Sequence, residues 1–215
     1  MIDDTLRGNG SLAGPSQRER LLALLGRRGM LRLSEILAGD ITAATASRLV
    51  REGVISRLGR GLYQLPDAPL DANHALAEVA KRTPKAVIAL TSALAFHDIT
   101  DQMPRRVWIA IGQKDWAPRD TYPPIRVVRF ADRLLQDGVE IHTIEGVAVP
   151  VFGVAKTLAD SFRHRRAVGL DVAVHALREA LRKRKATPAE IADQAAKGGS
   201  WTVLRPYLET FAADV

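Results

Sequence analysis

The sequence predicts an α+β protein in two parts: a small helical head ending in a two-stranded ribbon, and a larger mixed α+β body with a small sheet and C-terminal helices. Three observations carry this. Helical periodicity fills residues 16–52 and gives way at once to two short strand patterns around a Gly-rich turn. Residues 66–71 are polar and proline-bearing, as a linker should be. Beyond them, strand patterns gather between residues 107 and 152, and helical ones resume from Ala155.

Taken in order, residues 1–15 hold Gly8, Gly10, Gly14 and Pro15 with little periodicity and read as a flexible lead-in. Ser16 and Glu19 have the spacing of a capping box, followed by a stripe of Leu21, Leu22, Leu24 and Leu25 that Gly29 closes. A second short helix fits Leu33 to Ala38. Gly39-Asp40 then turns the chain into a third helix, from Thr42 to Glu52, stopped by Gly53. Ala43, Ala46, Leu49 and Val50 form its inward face and leave Thr45, Ser47, Arg48 and Arg51 outward. Val54–Leu58 and Leu62–Leu65 are strands around Gly59-Arg60-Gly61, and Pro66 ends the second. Helix, helix, tight turn, helix, ribbon is the layout of a winged helix-turn-helix, over residues 16–66.

The body, residues 72–215, begins with a helix from about Asn73 to Arg82 and a second from Thr91 to His97, which the apolar run Ala86–Leu90 precedes. Strands follow at Val107–Ile111, Ile125–Phe130, Val139–Ile144 and Val147–Phe152, the last two joined by Glu145-Gly146. Helices are expected over Ala155–Arg163, Leu170–Arg184, Thr187–Ala196 and Trp201–Phe211, the third with Thr187 as cap and Pro188 at its first position. Thr157, Asp160 and Asp171 are expected to cap or bond the helices near them.

A formal charge of +7 makes nucleic acid a candidate partner, and only seven of the 31 cations are Lys. Arginine presents a planar fork suited to phosphate and to the guanine edge. Residues 16–65 hold nine Arg against four acids, a net +5. In a helix-turn-helix the outward residues of the second motif helix meet base edges. Here these are Thr42, Thr45, Ser47, Arg48 and Arg51, with Arg57 and Arg60 on the wing to reach phosphate or the minor groove. A second basic concentration comprises Arg163, Arg165, Arg166, Arg178, Arg182 and Lys183, continued by Arg184 and Lys185. It is either a set of solvated faces or a surface for an acidic partner protein or an RNA.

Catalysis finds no support in the pattern. Cysteine is absent, which excludes disulfides, thiolate metal sites and thiol nucleophiles. The five His residues lack metal-ligand spacing. Ser92, His97 and Asp98 lie too close along one helical stretch for a triad. No acid-x-Lys nuclease element, P-loop or dinucleotide-binding glycine signature occurs. Trp108, Trp116 and Trp201 read as core or interface anchors rather than a base-stacking platform. No enzyme activity, metal or cofactor is expected. The acidic start Met1-Ile2-Asp3-Asp4 is no secretory signal and no run is long enough to span a membrane, so a cytoplasmic protein is expected.

The stretch Lys156–Arg165, followed by Gly169–Ala173 and Ala176-Leu177-Arg178, resembles the AbiEi-type antitoxins of abortive-infection toxin–antitoxin systems. Gly59–Tyr63 is similar to the Arg-Gly-x-Tyr wing of that family, and Thr91–His97 to its next helix. The likeness runs from about Ser16 to Arg184. It implies a head that binds inverted repeats in double-stranded DNA of its own promoter as an autorepressor. It also implies a body that counters a nucleotidyltransferase-like toxin encoded next door, with no catalytic residues of its own. The family's DNA contacts carry over to Thr45, Arg48, Arg51 and Arg60. The alternative is a winged-helix regulator with a ligand-sensing or dimerising second domain and no toxin.

Overall fold

The computed structural model describes residues 14–118 and 122–213, so most of the expected lead-in lies outside the described residues. Contacts divide the chain into two units, Met1–Ala68 and Pro69–Val215.

In the first unit, Ser16 starts α1 (Gln17–Arg28) through the capping box its spacing requires. Its hydroxyl accepts from the Glu19 amide, and the Glu19 carboxylate accepts from the Ser16 amide at 2.8 Å. Leu21 and Leu25 are fully buried on one face. Gly29, at φ 62°, then turns the chain into β1 (Met30–Arg32), a strand the sequence reading lacks because three residues show no period. After α2 (Leu33–Ala38) comes α3 (Ala43–Arg51), then β2 (Ser56–Gly59) and β3 (Leu62–Gln64). The sheet order is β1-β3-β2, all antiparallel, with Leu31 and Arg57 both opposite Tyr63.

Gly53 closes α3 as expected, at φ 71°, and donates to the Val50 carbonyl while Val54 donates to Leu49. This paired closure is a Schellman motif. It consumes Val54 and Ile55, so the strand starts at Ser56 rather than Val54. Leu21, Leu25, Leu31, Ile36, Ile41, Ala46, Leu49, Ile55 and Tyr63 make the core of this unit.

The second unit contains α4 (His74–Arg82), β4 (Val87–Ile88), α5 (Leu90–Phe96), β5 (Val107–Gly112), β6 (Ile125–Phe130), α6 (Asp132–Gln136), β7 (Val139–Ile144) and β8 (Val147–Phe152). Helices α7 (Val154–Arg163), α8 (Arg165–Val168), α9 (Leu170–Arg182), α10 (Pro188–Gly198) and α11 (Trp201–Ala212) complete it. Its five strands lie in the order β6-β5-β4-β8-β7, with β5–β6 and β4–β8 parallel and the other pairs antiparallel. The described chain is thus mixed α+β with two sheets, as predicted. β4, α6 and α8 are additions, each too short to show a period. α9 ends at Arg182, two residues early, because Arg184 takes φ 52° and leaves the helix. Thr187 and Pro188 open α10 with a full capping box to Glu190.

α7 is the axis of this unit. Every residue from Lys156 to Phe162 is buried, against α5, α9, α10 and α11. Lys156 and Asp160, one turn apart, form an ion pair of 2.6 Å with side chains 3% and 1% exposed. Burial pushes the Asp160 carboxyl up, and the Lys156 ammonium pulls against it. The ammonium also lies over the Phe130 and Phe152 rings, 5.0 and 4.8 Å from their centroids. The expected capping by Thr157 and Asp160 is therefore corrected. Thr157 bonds the Phe152 carbonyl, and Gly153 opens α7 with no side-chain cap. At the start of α9 the cap position is Gly169, which has no side chain to bond, and Asp171 stands exposed in the first turn. No described helix is long and apolar enough to cross a membrane.

Candidate nucleic-acid interface

α3 buries Ala46 and Leu49 and exposes Ala43, Ala44, Ser47, Arg48 and Arg51. Ala43, expected inward, faces solvent. Thr45, expected outward, is half-buried. The cause is Gln17 on α1. Its side-chain oxygen accepts from the Thr45 hydroxyl at 2.7 Å, from the Thr42 amide at 3.1 Å and from the Thr42 hydroxyl at 3.2 Å. Thr42 in turn caps the Thr45 amide. These two threonines fasten the start of α3 to α1, and their hydroxyls are already engaged. No local pattern in the sequence announces this role for Gln17, because its partners lie 25 and 28 residues away.

Ser47, Arg48 and Arg51 do share the solvent face. Glu52 sits at the foot of the helix between two cations, 3.3 Å from Arg18 and 3.8 Å from Arg48. Arg51 has no acidic partner among the described residues. On the wing, Arg57 is exposed and donates from Nε to the Gly59 carbonyl at 3.1 Å, across the bulge between Arg57 and Gly59. Arg60 is exposed at the tip, where Gly61 takes φ 69° and accepts from the Leu33 amide. Small side chains at 43 and 44 beside two guanidiniums suit close approach to a groove floor.

The second basic group does not gather into one face. Arg165 and Arg166 precede α9 and Arg182 and Lys183 end or follow it, about 20 Å of helix apart at 1.5 Å per residue. Arg182 is chelated by Glu179, and Lys183 bonds the Asp98 carbonyl and carboxylate. Arg165 donates to the Phe162 carbonyl, and Arg163 and Arg178 lie near the Phe130 and Phe211 rings. Arg166 and Arg184 are exposed.

Ser92, His97 and Asp98 face separate partners. Ser92 Oγ accepts from the Trp108 amide, His97 Nε2 donates to the Phe152 carbonyl at 2.7 Å, and Asp98 pairs with Lys183. No three described His, Asp or Glu residues come together in a way that could hold a metal. Burial holds His97 and His164 below the usual imidazole range, with Arg163 and Lys156 adding to the effect at His164. The unfolded chain, titrating near pH 6.5, takes up these protons first. Their contribution to stability is therefore complete above about 6.5 and is lost as pH falls through that value toward the lower native pKa. The urea midpoint of the body is expected to be lower at about pH 5.5 than at about pH 7.5, with a smaller difference in His97→Gln.

Residues 19–66 match the family model AbiEi_4, described as transcriptional regulator, AbiEi antitoxin. The head carries the AbiEi_4 pattern. The match spans α1, α2, α3 and the wing, and so bears out the resemblance read from the residues over this segment. The crystal structure of the RV2827C protein from Mycobacterium tuberculosis is similar with a TM-score of 0.61, covering 92% of this chain and 78% of that one at 14% identity. That likeness is one of fold. No curated protein matches the chain.

Proposed function

We propose that this chain is the antitoxin of an AbiE-like pair and represses its own promoter. The head reads inverted repeats in duplex DNA with Ser47, Arg48 and Arg51 in the major groove and Arg57 and Arg60 on the flanking backbone. Thr42 and Thr45 contribute by fixing the pitch of α3. The body, residues 72–215, counters a nucleotidyltransferase-like toxin encoded by the adjacent gene, and the exposed Arg166, Arg178 and Arg184 are available to a partner there. The observation that carries this reading is the bare face of α3, two guanidiniums beside small side chains, within the AbiEi_4 segment.

The test uses the full chain in cells that carry a reporter behind its promoter and, separately, an inducible copy of the neighbouring gene. Wild type is expected to silence the reporter and restore growth, whereas Arg48→Ala with Arg51→Ala loses silencing and still restores growth. Silencing without rescue favours the plain regulator, and a chain that gives neither silencing nor rescue overturns the proposal. In vitro, each phosphate contact contributes about −0.9 to the slope of log affinity against log salt. Arg57→Ala with Arg60→Ala is expected to flatten that slope by about 1.8 across matched and unmatched duplexes alike.

A further inference from the structure

Of the two readings its residue type allows, core or interface anchor, Trp116 is not the first. It is 87% exposed, whereas Trp108 is 6% exposed and belongs to the core. An indole left in water invites an explanation, because burying it would contribute more than almost any other side chain. The loop that carries it is held firmly. Arg129 Nη1 reaches the carbonyls of Gly112, Gln113 and Asp115 at 2.8–2.9 Å, and the Asp115 carboxylate accepts from the Gly112 amide at 3.0 Å. A Cβ at Gly112 would come within 2.8 Å of that carboxylate, so the turn closes over a bare backbone.

Beside Trp116 opens a groove of about 590 Å³ between this loop and the C-terminal end of α4. Pro84, Ala86 and Ile111 give it an apolar floor, and Lys85 and Lys114 stand on its rim. The Lys85 side chain is 83% exposed. Asp115 is the acid among the lining residues, and its two oxygens face the Gly112 amide and, at 3.8 Å, Lys85. A rigid aromatic face, an apolar slot and a cationic rim match a base and its phosphates, since stacking accepts any base while cations track the backbone. An acidic peptide would satisfy the rim and leave the indole without a planar partner.

We propose that this groove binds single-stranded nucleic acid, one base stacking on Trp116 and the adjoining phosphates meeting Lys85 and Lys114. This site belongs to the second unit, and the proposal does not depend on the duplex-reading role of α3.

The test is fluorescence anisotropy of a labelled oligo-dT of about ten nucleotides against the full chain with Arg48→Ala and Arg51→Ala, so that the head contributes least. Two phosphate contacts predict a salt slope of about −1.4. Trp116→Ala, at a position exposed enough to leave folding intact, is expected to weaken binding about tenfold at unchanged slope. Lys85→Ala with Lys114→Ala flattens the slope instead. The proposal is overturned by an absence of binding or by wild-type affinity in Trp116→Ala. It is equally overturned if an oligo-glutamate of the same length competes as well as unlabelled oligo-dT, which would make the surface an acidic-peptide site.

Discussion

Arg48→Ala combined with Arg51→Ala is expected to weaken retention of the chain's promoter fragment about a hundredfold or more, with an unchanged circular dichroism spectrum. A guanidinium that grips guanine through two hydrogen bonds is worth about 1–3 kcal/mol of discrimination, and two of them at the middle of that range, at about 1.4 kcal/mol per decade, come to roughly three orders of magnitude. The fold should not notice. Both side chains are exposed, and the single ion pair lost is a surface contact of 3.8 Å between Arg48 and Glu52, of a kind worth little in water. The loss should be greatest on the matched operator and small on unrelated duplex, because phosphate contacts through the wing remain. Wild-type retention by the double variant would remove α3 from the interface.

The second large effect lies in the body. Asp160→Ala is expected to destabilise it by about 3–5 kcal/mol, because it strands the Lys156 ammonium among Phe130, Phe152 and the packed helices with no counter-charge. For a unit of this size that lowers the melting temperature by roughly 10 °C, read by differential scanning calorimetry. Lys156→Met with Asp160→Leu removes both charges and is expected to recover most of the loss, since an apolar pair of similar volume replaces the ion pair at little net cost. An Asp160→Ala protein as stable as wild type would mean that water or another acid reaches Lys156. Asp160 also keeps one carboxylate oxygen buried without a partner, which makes the double replacement still more favourable.

Signals that act within a few residues were legible in advance. Ser16 with Glu19, Thr187 with Pro188 and Glu190, and Gly53 after α3 each declare a helix end through bonds to near neighbours, and each stands where expected. What sequence reading missed depends on partners far along the chain. β1 exists because Met30–Arg32 finds β3 thirty residues later, and Thr45 turned inward because Gln17 was waiting for it. Lys156 and Asp160 have the spacing of an ordinary surface pair, and their burial follows from helices that close around α7 on every side. Trp116 leaves the core half of its reading behind, since residue type alone cannot say whether a loop buries an indole or presents it outward.

Glu52 gives the proposed repressor a means of refusing. Arg48 already has a carboxylate within reach, and so does Arg18. A sequence that offers Arg48 no guanine therefore competes with an incumbent and gains nothing by displacing it. The handicap is slight, as a surface pair in water allows, yet every sequence without that guanine carries it.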